Sequence, residues 1–166
     1  QCRGVGRILK SKKLTVKIPG GVETGSRLRL QGEGEPGDPG APPGDLYVFI
    51  NVRRHEVFRR EGDDIIIGVP ITYSLAALGG VIDIQSLEGT EKLEVPKGIQ
   101  SGQNIHLSGK GVPRLRGRGR GDLIAVVYVE TPKELSKEHE EVLRKLAEIE
   151  GAKVHPKKRG FFSRKK

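Results

Sequence analysis

Residues 27–50 read "RLRLQGEGEPGDPGAPPGDLYVFI", and the meaning of their glycines decides the fold. Gly32, Gly34 and Gly37 have the spacing of a dinucleotide-binding loop. That motif has physical meaning only when the glycines leave a strand and open a helix, whose first amides then hold a pyrophosphate. No helix can open here, because Pro36, Pro39, Pro42 and Pro43 remove amide donors and push each preceding residue out of the α region. The glycines must belong to something else.

They recur in "EKLEVPKGIQSGQNIHLSGKGVPRLRGRGRGDLIAVVYV", residues 91–129. An offset of 77 carries Pro19 to Pro96, Gly21 to Gly98, Gly25 to Gly102, Leu30 to Leu107, Gly32 to Gly109, Gly34 to Gly111 and Pro36 to Pro113. The same offset carries Gly44-Asp45-Leu46 to Gly121-Asp122-Leu123 without a gap. Matches at one offset, concentrated on turn residues, indicate a duplicated supersecondary unit. Gly37 has Arg114 as its counterpart, so the third glycine lies outside the shared pattern.

Each repeat reads as short strands and turns. Leu14, Val16 and Ile18 alternate with polar residues, as do Leu28 and Leu30, and "PGGVETG" turns between them. In "DLYVFINV" both faces are apolar, with Leu46, Val48, Ile50 and Val52 opposite Tyr47 and Phe49, which predicts a strand central in its layer. The second repeat adds residues 63–95: a strand near 64–71, a helical turn at 74–78 closed by Gly79 and Gly80, and a hairpin turning at Glu88-Gly89. One full helix follows, with Ser136 as N-cap, Gly151 as stop and Leu135, Val142, Leu143, Leu146 and Ile149 on its apolar stripe. The expected class is mostly β: two tandem, internally repeated small β-sandwich subdomains plus a C-terminal helix. The expected divisions are a leading segment 1–12, subdomains 13–60 and 61–132, a helix 133–151 and a basic tail 152–166.

Composition agrees. The chain has 166 residues, 24 of them Gly and 10 Pro, a share that favours many turns over long helices. Its formal charge of +9 is concentrated: residues 153–166 carry seven Lys or Arg and no acid, leaving +2 on the remainder. No apolar run approaches the ~20 residues of a membrane span. The single cysteine, Cys2, excludes an internal disulfide framework and fits a reducing compartment, so a cytoplasmic location is expected. No Met occurs, not even at position 1, so the chain is expected to be a piece of a longer one.

Several phrases then carry a resemblance. "CRGVG" at Cys2–Gly6 is similar to the last half of a CxxCxGxG zinc knuckle, and "HEVFRREGDDI" from His55 to Ile65 resembles the phrase joining the two substrate-binding β-domains of DnaJ-type co-chaperones. "ALGG" and the two Gly-Asp-Leu triplets fit the same family, whose order the chain follows nearly end to end. The resemblance implies binding of unfolded polypeptide, cooperation with a DnaK-type chaperone and homodimerisation through the C-terminal helix at Leu135, Val142, Leu143, Leu146 and Ile149. It places the client pocket on the first β-domain, at Leu14, Val16 and Ile18 of the first strand and at Phe58. Zinc belongs to the longer family member. Here no cofactor is expected, since Cys2 is the one remaining ligand and cannot complete a tetrahedral site. The J-domain with its His-Pro-Asp is absent from these residues. By the same family order, the strands preceding residue 14 lie upstream of the zinc insertion, so the first β-domain is expected to be incomplete, with an under-covered apolar face.

Enzymatic chemistry finds no footing. The nucleophile-elbow pattern is missing, and His55, His106, His139 and His155 have no metal-ligand spacing to one another. The alternative function is RNA binding by the Arg-Gly loop 113–121 and the basic tail. The repeat opposes it, because the first copy fills the same loop with "EPGDPGAPP", conserving the Gly-Asp-Leu exit and not the charge.

Overall fold

The duplication is visible in the hydrogen bonds of the computed structural model, which describes residues 11–38 and 40–151. Strands β1 (Arg27–Leu30) and β2 (Leu46–Phe49) pair antiparallel, as do β7 (Asn104–Leu107) and β8 (Leu123–Val129) at the equivalent positions. Gly25 N donates to Ile50 O at 2.9 Å, and Gly102 N to Val127 O at 2.7 Å. Gly34 N donates to Gly44 O at 2.9 Å, and Gly111 N to Gly121 O at 2.8 Å. Gly32 and Gly109, left-handed at φ 70° and 72°, both present their amides to an aspartate Oδ1 at 2.9 Å, Asp45 in one case and Asp122 in the other. The opening glycines therefore form a loop that the Gly-Asp-Leu aspartate closes.

At Asp45 this arrangement has a titration consequence. The Gly32 amide, and next the Arg29 guanidinium, hold the carboxyl below the usual aspartate range. The loop's stabilisation by Asp45 is thus complete above the unfolded aspartate pKa and is lost as pH falls through the lower, folded pKa. In an acid titration followed by NMR, the Gly32 amide should shift with a midpoint below that of a free aspartate, and Asp45→Asn should abolish that transition. A Gly32 amide that titrates in Asp45→Asn as it does in the parent would refute the coupling.

Among the described residues, three sheets contain eight strands. β1–β2 stands as a pair; β3 (Arg59–Glu61), β4 (Asp64–Ile71), β8 and β7 form a four-stranded sheet in that order; and β5 (Gly80–Ser86) pairs with β6 (Gly89–Val95). β4 and β8 run parallel, aligning Ile65 with Leu123, Ile67 with Ala125 and Val69 with Val127. All six of these side chains are buried, and they meet Ile84 of β5 and Leu93 and Val95 of β6 in one cluster. The second repeat is thus two layers over a common core. Parallel pairing needs a long crossover, which α1 (Tyr73–Leu78), β5, β6 and β7 supply.

α1 is short and tightly bounded. The Thr72 hydroxyl accepts from Leu75 N at 3.2 Å, and Gly79 ends the helix at φ 76°. A side chain at Gly79 would press on Lys97 N and Val95 O at 2.9 and 3.0 Å, so both conformation and space require glycine. The β5–β6 register pairs Ser86 with Gly89, which puts Leu87-Glu88 at the hairpin tip, one residue earlier than expected from sequence.

The first repeat differs from the second. Among the described residues, none of the buried core precedes Ile65. Among the described residues β2 has one partner, β1, instead of the expected central position, and Phe49 is 70% exposed. Its counterpart β8 does lie centrally, between β4 and β7. Residues 11–19 form no strand, correcting the expectation for Leu14, Val16 and Ile18; no described strand lies beside them to supply the ladder. Leu14 and Ile18 are exposed and Val16 is half-buried.

The chain divides into two compact units, one ending at Val129 and the other beginning at Glu130. In the latter, α2 (Lys137–Glu150) is bounded as expected: Ser136 Oγ accepts from His139 N at 3.2 Å, and Gly151 N donates to Ala147 O at 3.2 Å. Glu138 and Glu140 in its first turn suit the positive end of the helix dipole. The leading segment with Cys2 and the basic tail from residue 152 lie outside the described residues, apart from Ser11 and Lys12.

Candidate functional site

The phrase from His55 to Ile65 shapes a cleft of about 900 Å³. The His55 Nδ1 accepts from the amides of Val57 at 3.1 Å and Phe58 at 3.3 Å, folding the chain back and holding the two rings 5.0 Å apart between centroids. Accepting at Nδ1 places the neutral ring's proton on Nε2. Phe58 is half-buried, with its inner side on the core cluster while it also lines the cleft. Val52, Val57, Ile65, Leu87 and Val112 complete an apolar lining, and Arg53, Arg54, Arg59, Glu23 and Glu56 add charge around it.

Both repeats contribute walls. Glu23, Thr24 and Val52 come from the first, whereas Ile65, Leu87 and Val112 come from the second. Thr24 Oγ1 accepts from Val52 N at 2.9 Å and donates to Val52 O at 3.3 Å, so the two parts of the first repeat that form this wall are pinned to each other. Arg60 ties in the turn before it, donating to Gly21 O at 2.8 Å, to Val22 O at 2.7 Å and to Gly62 O at 2.7 Å. An apolar, open-sided recess with charged edges suits an extended polypeptide better than a small metabolite.

Phe58 is the one expected site residue that lines this cleft; Leu14, Val16 and Ile18 are not among its walls. Sequence reading missed Val52, Leu87 and Val112. Leu87 carried a usable signal, an apolar side chain at a hairpin tip, where polar residues prevail. Val112 did not, since a valine between Gly111 and Pro113 has no periodic context.

On α2 no residue is buried. Leu135, Val142, Leu143 and Ile149 are exposed, Ile149 at 82%, and Leu146 is half-buried. Among the described residues no group of three or more His, Cys, Asp or Glu is placed to hold a metal ion, and no helix is long and apolar enough to cross a membrane.

Residues 7–132, which span both repeats and the cleft, match the DnaJ C terminal domain family. The chain belongs to that family. Residues 140–166 match a further one, the chaperone protein DnaJ C-terminal region. Among similar proteins, the chaperone protein DnaJ of Acetivibrio thermocellus is 45% identical over 165 residues, covering 99% of this chain and 43% of the relative. The DnaJ proteins of Chlamydia felis and Chlamydia caviae are 50% and 51% identical over 165 residues, covering 98% of this chain and 42% of each relative. The chain thus spans less than half the length of these DnaJ relatives. Its mostly β architecture with a C-terminal helix is that of a DnaJ-type chaperone's C-terminal region.

Proposed function

We propose that this chain is the client-binding part of a DnaJ-type co-chaperone, working in the cytoplasm. It binds non-native polypeptide and delivers it to a DnaK-type chaperone, as a homodimer joined through α2. The observation that carries the reading is the cleft between the repeats, whose lining presents Phe58 and five aliphatic side chains beside open edges. An extended segment can lay apolar side chains into such a recess while its main chain pairs with a strand edge, and β2 offers one. Holding a client this way requires no bond to be made or broken. ATP turnover belongs to the partner chaperone, and zinc to the cysteine-rich part of the longer protein.

Phe58→Ala tests the cleft. Binding of an unfolded, carboxymethylated reporter should weaken about tenfold, equivalent to about 1.4 kcal/mol, while the melting temperature falls by only a few degrees because the ring is half-buried. Unchanged affinity with a large loss of melting temperature would assign the ring to the core alone.

A further inference from the structure

We propose that Arg60 and the Pro19-Gly20-Gly21 turn form a latch that fixes the first repeat against the second and thereby sets the width of the cleft. The inference rests on the cleft being the client site, and it adds the residues that position its walls. Arg60 belongs to β3, in the sheet of the second repeat, yet its guanidinium closes on the first repeat's turn. Its Nη1 and Nη2 donate to consecutive carbonyls, Val22 O and Gly21 O, while its Nε donates to Gly62 O in its own strand connection. Glu23, the next residue of the turn and a wall of the cleft, lies 3.7 Å from the same guanidinium. A planar fork engaging several acceptors fixes orientation as well as distance, which a lysine's single ammonium cannot reproduce.

The other half of the latch is steric. A side chain's first carbon on Gly20 would meet the Pro113 ring at 3.4 Å, an ordinary contact, so the steric demand falls on the next residue. Gly21, at φ 87°, lies so near the Pro113 carbonyl that any side chain would overlap it. Pro113 is itself fixed to the second repeat, because the preceding Val112 N donates to Asp63 O at 2.8 Å and Pro113 bridges to Arg120 across the loop.

The internal repeat supplies the control. Gly98, the counterpart of Gly21, has nearly the same conformation at φ 77° but nothing within 4 Å of where a side chain would start. The turn's own geometry therefore demands glycine at both positions, and only Gly21 adds a close approach to another element. That added approach is what a contact between repeats requires and an isolated turn does not.

The test uses the full chain carrying Cys2→Ser and spin labels at Arg27→Cys and Thr90→Cys, exposed positions on β1 and β6. The parent should give one narrow interlabel distance distribution. Arg60→Ala and Gly21→Ala should broaden it, Arg60→Lys should broaden it less, and Gly98→Ala should leave it narrow. In unlabelled proteins, Gly21→Ala, a change outside the cleft lining, should weaken binding of the carboxymethylated reporter by about five- to tenfold, and Arg60→Ala, which also removes a side chain that lines the cleft, should weaken it at least as much. A narrow distribution in both Arg60→Ala and Gly21→Ala would overturn the latch. Broadening with unchanged reporter affinity would overturn its role in setting the cleft. If the parent itself failed to bind the reporter, the client-site reading would fall, and with it the positioning role, while the distance distributions would still decide whether the repeats are latched.

Discussion

Gly121→Ala should destabilise the β unit by about 3–5 kcal/mol, whereas Gly44→Ala, the same change at the equivalent repeat position, should alter stability by less than about 1 kcal/mol. Neither glycine is left-handed, so conformational strain does not separate them. Surroundings do. A side chain on Gly121 would overlap the Asp63 carbonyl and approach Asp64 Oδ1 to 2.6 Å, while the nearest atom to one on Gly44 is Glu35 O at 3.7 Å, an ordinary contact. At Gly121 the intrusion falls where the starts of β4 and β8 are stitched together. Val112 N donates to Asp63 O at 2.8 Å, Asp122 N to Asp64 Oδ1 at 2.7 Å and Ile65 N to Asp122 O at 2.9 Å. Displacing them opens the end of the parallel ladder that aligns Ile65 with Leu123, both in the core. Urea denaturation of the two variants would measure the difference; equal losses would show that the Gly-Asp-Leu corner is stabilised within each repeat and not by β4.

That contrast also shows what a sequence can and cannot convey. The repeat was legible because its turns impose backbone requirements, as at Gly32 and Gly109, and those requirements select residues one by one. The caps of α2 were legible for the same reason, since Ser136 and Gly151 act on groups a few residues away. Neighbours across the sheet were not. "DLYVFINV" and "DLIAVVYV" have the same apolar character, yet among the described strands β8 is covered on both edges and β2 on one. Alternation at Leu14, Val16 and Ile18 records side chains suited to one face of a strand; a strand still needs a partner for its amides, and residues 11–19 have none that is described. The parallel match of β4 with β8 was equally hidden, because no turn joins them to announce it. The cleft was half visible. Phe58 stood out as an aromatic ring among charged residues, whereas Val52, Leu87 and Val112 acquire meaning only when separate elements bring them together.

The second large effect concerns association. Deleting residues 134–166 should convert a dimer to a monomer, seen by light scattering as a halving of mass relative to the length of the chain, without changing the melting of the β strands. α2 has caps at both ends and an Arg144–Glu140 pair one turn apart, so its sequence supports the helix locally. Its apolar residues do not serve the helix itself: Val142, Leu143 and Ile149 stand exposed, and nothing on α2 is buried. An amphipathic helix obtains most of its stability by covering such a stripe. Burying one Val, Leu or Ile is worth about 1.5–3 kcal/mol, so two stripes facing each other can exceed the association cost of at least about 4 kcal/mol. The margin is narrow enough for a finer test. Val142→Asp with Leu146→Asp replaces two central stripe residues by carboxylates while leaving Ser136 and Gly151 to cap the helix, and it should give a monomer with the β unit intact. Dimers that survive both the deletion and the double substitution would place the contact elsewhere, with the open edge of β2 as the surface to examine next.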